Sequence, residues 1–130
     1  SVAAQGGTSV VYVPFFDSAN GDLAYSVSLN QGANWTDGWI AQPPTVAGEF
    51  VSSIVDSDGD LHVAYYDDTN SRLMHGLFNG IWSISTVDNS ADVGQWTSIG
   101  VIDDVVYIVY YNADNGALKI AKSVDGGESW

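Results

Sequence analysis

An all-β fold built of three antiparallel repeats is what this 130-residue sequence predicts, on three observations. One aromatic segment is written three times, as Tyr12-Val13-Pro14-Phe15-Phe16-Asp17, His62-Val63-Ala64-Tyr65-Tyr66-Asp67 and Tyr107-Ile108-Val109-Tyr110-Tyr111-Asn112. Each copy leads through a turn to a leucine (Leu23, Leu73, Leu118) and then to a tryptophan (Trp35, Trp82, Trp130). No stretch of ten residues carries a 3.6-residue apolar period, whereas Val, Ile, Tyr and Trp between Gly, Asn and Asp clusters suit short strands joined by tight turns. The repeats occupy approximately residues 1–47, 48–93 and 94–130 of a single segment.

Each repeat reads as four strands, A to D. Strand A is 51–55 or 97–101, strand B the aromatic segment, strand C 73–78 or 118–122, and strand D 81–87. Strand B is apolar on both faces (Val106, Ile108 and Tyr110 against Tyr107, Val109 and Tyr111), as expected of a strand sandwiched between neighbours. Pro14 cannot donate to a ladder, so a bulge or a lost bond is expected there. In order the chain gives A to D twice and then A to C, stopping at Trp130 where a further strand D would begin.

The first and third copies align without a gap, from Thr8 to Trp35 against Asp103 to Trp130. They end in Ser28-Leu29-Asn30-Gln31-Gly32-Ala33-Asn34-Trp35 and Ser123-Val124-Asp125-Gly126-Gly127-Glu128-Ser129-Trp130; the middle copy has Phe78-Asn79-Gly80-Ile81, whose Asn-Gly is a two-residue hairpin signal. Read as S-x-D-x-G-x-S-W, the last of these resembles the Asp-box of bacterial neuraminidase repeat proteins, in the sialidase-like β-propeller family. The resemblance implies three antiparallel four-stranded propeller blades, the last lacking its outer strand, that are part of a β-propeller or assemble into one. It gives Ser28, Asn30, Gly32, Trp35, Ser123, Asp125, Gly127 and Trp130 a structural role: the Asp and Ser bond the turn, Gly supplies positive φ, and Trp packs between blades. Three blades do not close a ring. The remainder of a longer chain would complete it, or a homo-oligomer, two copies giving six blades.

Composition removes several functions. With 3 basic against 16 acidic residues the net charge of −13 repels phosphate backbones and anionic lipid, so neither nucleic acid nor membrane insertion is expected. The absence of cysteine removes disulfides, thiolate metal sites and Cys nucleophiles. A secreted or cell-surface protein of bacterial or archaeal origin fits this composition, and a cytosolic one fits it equally. The family resemblance also implies sialidase chemistry, with three arginines clamping a carboxylate, a Tyr nucleophile assisted by Glu, and an Asp acid/base. Arg72 is the only arginine, and Glu49 and Glu128 the only glutamates, which argues against that mechanism. A fragment of another glycoside hydrolase or of a polysaccharide lyase stays open, as does a purely structural propeller fragment; a hydrolase needs two carboxylates opposed across a sugar, and nothing in the spacing marks such a pair. No catalytic residue is assigned.

Asp56-Ser57-Asp58-Gly59-Asp60 places hard oxygens at alternate positions, as calcium loops do, yet it also falls in the turn between strands A and B, where Asp-Gly is a turn signal. No cofactor is expected, with calcium at Asp56, Asp58 and Asp60 as the alternative. His62 and His75 replace Tyr107 and Ile120 of the third repeat, so they read as satisfied interior histidines. What remains is a recognition surface. Propellers that this chain resembles bind ligands with their B-to-C turns and D-to-A connections. Matching positions here are Asp17, Asn20, Asp67, Asp68, Asn70, Arg72, Asn112, Asp114 and Asn115 in the turns, and Glu49, Phe50, Asp92, Gln95 and Trp96 in the connections, where Phe50 and Trp96 read first as rings that pack between blades. Asp and Asn beside aromatic rings are the groups that bind carbohydrate, though they are also turn formers. The expected function is a non-catalytic module that binds glycans or a protein partner at a cell surface.

Overall fold

The computed structural model describes residues 1–41 and 46–130, and among them eleven antiparallel strands form three sheets with no helix. Sheet I runs β1 (Ala3–Ala4), β2 (Val11–Asp17), β3 (Asp22–Ser28) and β4 (Thr36–Ala41), each strand paired with the next. Sheet II repeats that order with β5 (Ala47–Val55), β6 (Leu61–Asp67), β7 (Arg72–Phe78) and β8 (Trp82–Asp88). Sheet III holds β9 (Val93–Ile102), β10 (Val105–Asn112) and β11 (Ala117–Ser123). Antiparallel neighbours joined by short turns need no crossover, which is why turn chemistry alone sets this order.

Sheets stack face to face around sheet II. Leu61, Val63, Tyr65 and Met74 of sheet II form one apolar cluster with Ala3, Leu23 and Ile40 of sheet I. Ala64 and Leu73 form a second with Val93, Ile108 and Tyr110 of sheet III. All seven residues of β6 are therefore buried. In β10 burial alternates: Val106, Ile108, Tyr110 and Asn112 face sheet II, while Tyr107, Val109 and Tyr111 stay half-exposed on the other side. The two-faced apolar strand B is thus fully covered only in the middle sheet.

The same two contacts lock each pair of sheets. The Trp82 ring lies 5.6 Å from Tyr25 of sheet I, and the Trp130 ring lies 5.1 Å from His75 of sheet II. Gly48 and Gly94 press on the first leucine of the preceding strand C: a Cβ would lie 2.8 Å from the Leu23 Cβ in one case and 2.8 Å from the Leu73 Cα in the other. Both glycines also have positive φ, 117° and 111°.

Two hairpin ends share one bonding scheme. The Ser28 hydroxyl accepts the Gly32 amide (2.8 Å) and the Asn30 side chain accepts the Asn34 amide (2.8 Å); Ser123 accepts from Gly127 (2.8 Å) and Asp125 from Ser129 (2.9 Å). Gly32 and Gly127 follow at φ 87° and 96°.

Three local expectations need correction. Register runs through Pro14↔Tyr25 without a bulge. The Pro14 carbonyl accepts from the Ser1 amino group (3.2 Å), so that residue's backbone edge faces the side of β1, beyond its end, and no β2–β3 bond is lost. Strands β5 and β9 begin four residues before the expected 51 and 97, because Ala47 and Val93 still pair with β6 and β10 across an irregular register. The middle hairpin loop is Asn79-Gly80-Ile81, one residue longer than the Asn-Gly signal, since pairing resumes at Phe78↔Trp82 with the indole turned onto Tyr25.

A methyl group at Gly94 meets backbone rather than a flexible chain end, so Gly94→Ala should lower the unfolding free energy by roughly 2 kcal/mol or more in urea titration. Gly6→Ala, where nothing lies within 4 Å, should leave the midpoint unchanged.

Candidate functional site

The segments Gly48-Glu49-Phe50 and Gly94-Gln95-Trp96 build matching bulges. Pairing steps from Ser52↔Ala64 to Glu49↔Tyr66 in sheet II and from Ser98↔Val109 to Gln95↔Tyr111 in sheet III, leaving one extra residue on β5 and on β9. Within the bulges Phe50 and Trp96 take left-handed backbone, at φ 52° and 49°. For a bulky residue this costs roughly 1–3 kcal/mol and persists only where the surroundings fix it. Here the Thr97 hydroxyl donates to the Phe50 carbonyl and shares a bond with the Ser52 hydroxyl at 2.8 Å, tying one bulge to the other. Ring contacts do the rest: Phe50 to Trp96 at 4.9 Å, Phe50 to Tyr66 at 6.1 Å and Trp96 to Tyr111 at 5.4 Å. Phe50 is half-buried as a packing residue, whereas Trp96 is 62% exposed.

Polar groups gather beside this aromatic row between sheets II and III. The Tyr66 hydroxyl donates to Asp92 Oδ1 at 2.6 Å, and the side chains of Ser71 and Gln95 meet the same hydroxyl. Burial pushes the Tyr66 phenol up, and the bond to Asp92 adds to the shift, so it remains a donor at neutral pH. The backbone of Asp92 is fixed from both sides, its amide bonded to Asp114 (3.2 Å) and its carbonyl to the Ala113 amide (2.8 Å). The Val93 amide donates to the Ser71 carbonyl (3.3 Å), joining the connection to sheet II. At the matching cleft between sheets I and II stand Phe16, Gly21 and Val46 in place of Tyr66, Ser71 and Asp92. The polar set belongs to one cleft.

The turn residues expected at a ligand face are engaged in their own turns. Asp17 accepts from Asn20 (2.7 Å) and from the Ala19 amide (3.0 Å). Asp67, 2% exposed, accepts from Asn70 (2.8 Å) and Arg72 Nε (2.8 Å), and Arg72 also reaches Thr86. Asn112, 5% exposed, caps the Asp114 amide, and Asn115 takes the Ala117 amide. These carboxylates and amides hold hairpins closed from inside. Gln95 and Trp96 are brought together with Tyr66, Ser71 and Asp92, while Glu49 pairs opposite Tyr66. Tyr66 and Ser71 were outside the expected set, and the only sequence signal for them was the loss of the polar groups at Phe16 and Gly21.

At the opposite end of the sheets lies the acidic turn. Asp56 Oδ1 accepts the amides of Asp58 (3.0 Å) and Asp60 (2.9 Å), a turn geometry, and among the described residues no group of three or more carboxylates and imidazoles is arranged to hold a metal ion. Asp56 Oδ2 is 3.2 Å from His62 Nε2, and His62 Nδ1 is 3.0 Å from His75 Nε2. A carboxylate only accepts, so His62 presents a proton from Nε2 to Asp56, while His62 Nδ1 and His75 Nε2 share one hydrogen bond. Both histidines are interior and bonded, as their positions in the repeat suggested.

No protein-family model and no curated protein matches this chain. A fucose lectin from Kordia zhangzhouensis, solved in complex with methyl-fucoside, is similar in structure at a TM-score of 0.68 and 16% identity, over 100% of this chain and 95% of that one. At that identity the likeness shows a shared all-β fold.

Burial, reinforced by the neighbouring His62, depresses His75 from its ordinary 6.5 to about 3. The unfolded chain therefore takes this proton first: the contribution of His75 to stability is complete above about pH 6.5 and is lost as pH falls toward 3, at about 1.4 kcal/mol per pH unit. Carboxylates enter lower down, as with Asp125, which bonds from Ser123 and Ser129 hold at about 2. Urea midpoints should fall between about pH 6.5 and 4, and the double substitution His62→Tyr/His75→Ile should flatten that limb while leaving the steeper loss below it.

Proposed function

We propose that this chain is a non-catalytic glycan-binding module whose three sheets serve as blades of a β-propeller, the last without its outer strand, and that it works at a cell surface. The observation that carries this reading is Trp96: a left-handed bulge holds an indole outward at 62% exposure, against the usual preference of both the backbone and the ring. An exposed flat ring takes the apolar face of a pyranose, and the phenol, carboxylate, carboxamide and hydroxyl of Tyr66, Asp92, Gln95 and Ser71 offer planar and bidentate partners for vicinal hydroxyls. A fold shared with a protein solved with methyl-fucoside supports this choice of ligand class. The net charge of −13 favours neutral sugars over sialylated or uronic ones.

Calorimetric titration with methyl-fucoside and other neutral methyl glycosides should show binding of at least one. Trp96→Ala should weaken it tenfold or more with the thermal midpoint little changed, and Tyr66→Phe should weaken it less. Affinity that survives Trp96→Ala contradicts the assignment.

A further inference from the structure

The repeat leaves one contact unmade. Three tryptophans close the three hairpin ends, and three residues stand at the centre of the three C strands. Two of the pairs are formed, Trp82 on Tyr25 and Trp130 on His75. The third tryptophan is Trp35, on the outer side of sheet I, 46% exposed. The third central residue is Ile120, on the outer side of sheet III, 64% exposed. Each lacks what its two counterparts have.

The faces around them extend the match. Around Ile120 lie exposed Leu118 and half-exposed Tyr107, Val109 and Tyr111, the counterparts of residues that sheet II buries against sheet III. Around Trp35 lie exposed Phe15 and Trp39. The glycine that lets the hairpin approach is also in place. Gly127 abuts His75, where a Cβ would come within 2.4 Å of Cε1, and its counterpart Gly32 has only its own Trp35 nearby. So the two ends of the stack are the two halves of an interface that the molecule already makes twice within itself.

We infer that a second copy of this chain covers both end faces, seating Trp35 of each copy on Ile120 of the other and closing a ring of six sheets. A head-to-tail contact with these ends closes when the rotation per sheet allows it, and two three-sheet arcs then share two identical seams. A second copy supplies both missing partners at once, since its sheet I carries the Trp35 hairpin and its sheet III the Ile120 strand. This inference is argued without the glycan assignment but bears on it: by the precedent of Phe50, which sheet III half covers, the second copy half covers Trp96 and becomes one wall of the sugar cleft.

Sedimentation velocity of the whole chain should give twice the 13.8 kDa chain mass. Trp35→Arg and Ile120→Glu should each sediment as a monomer while retaining the far-ultraviolet dichroism and a cooperative melt. Mixing the two variants should restore the double mass, because one seam is then unaltered and the other pairs opposite charges. A wild-type chain that stays monomeric, single variants that remain paired, a mixture that fails to associate, or a wild-type assembly of any other size overturns the inference.

Discussion

Everything in this molecule depends on how one sheet lies against the next. A single sheet of three or four short strands buries too little to stand alone in water, so each must cover a face of its neighbour. The cover is set at two points, an indole over the middle of the preceding strand C and a glycine against its first leucine. The glycine matters because it removes the only atom that would hold the two backbones apart. Sheet II receives both contacts and makes both, which is why β6 has no exposed residue.

The candidate site is a by-product of that stacking. Gly94 brings β9 against Leu73, the register of β9 on β10 shifts between Val109 and Tyr111, and Trp96 lies in that bulge with its ring exposed. The same device in sheet II yields Phe50, which the next sheet half covers. Between these positions the identity of three side chains decides the chemistry: Tyr66, Ser71 and Asp92 make a polar cleft where Phe16, Gly21 and Val46 leave an apolar one. A second polar tie between sheets II and III is structural. Burial pushes Asp88 up, but bonds from Lys119, Ser90 and Tyr110 outweigh it and hold its carboxyl below the ordinary range, so it remains an anion anchoring sheet III.

Strands, turns and the order of sheets were legible because each is written locally. The aromatic segment repeats, Gly and Asn punctuate it, and a tryptophan follows the turn after strand C in each repeat. Strand beginnings were less so, since β5 and β9 pair through a bulge that no alternation reveals. The site was half legible. Gln95 and Trp96 were among the positions matched to a ligand face, with Trp96 read first as a packing ring, but the bond from Tyr66 to Asp92 joins residues 26 apart, one in β6 and one in the connection before β9. Asp17, Asp67 and Asn112 carried two meanings, ligand group and turn former, and the number of amides each one caps or neighbours it bonds is fixed only by the folded turn. For His62 and His75 the position in the repeat indicated an interior, while their bond to one another required the pairing of β6 with β7.

The claim on which the functional account rests is that sugar meets the indole of Trp96. Five tryptophans give five separable indole N–H signals, so a titration with methyl-fucoside and related neutral glycosides followed by proton–nitrogen correlation spectra reads the contact directly. The account predicts progressive shifts at the Trp96 indole and at the amides of Gln95 and Tyr66, with the Trp82 and Trp130 indoles, packed between sheets, unmoved. Shifts that bypass Trp96, or none with any neutral sugar, would contradict it.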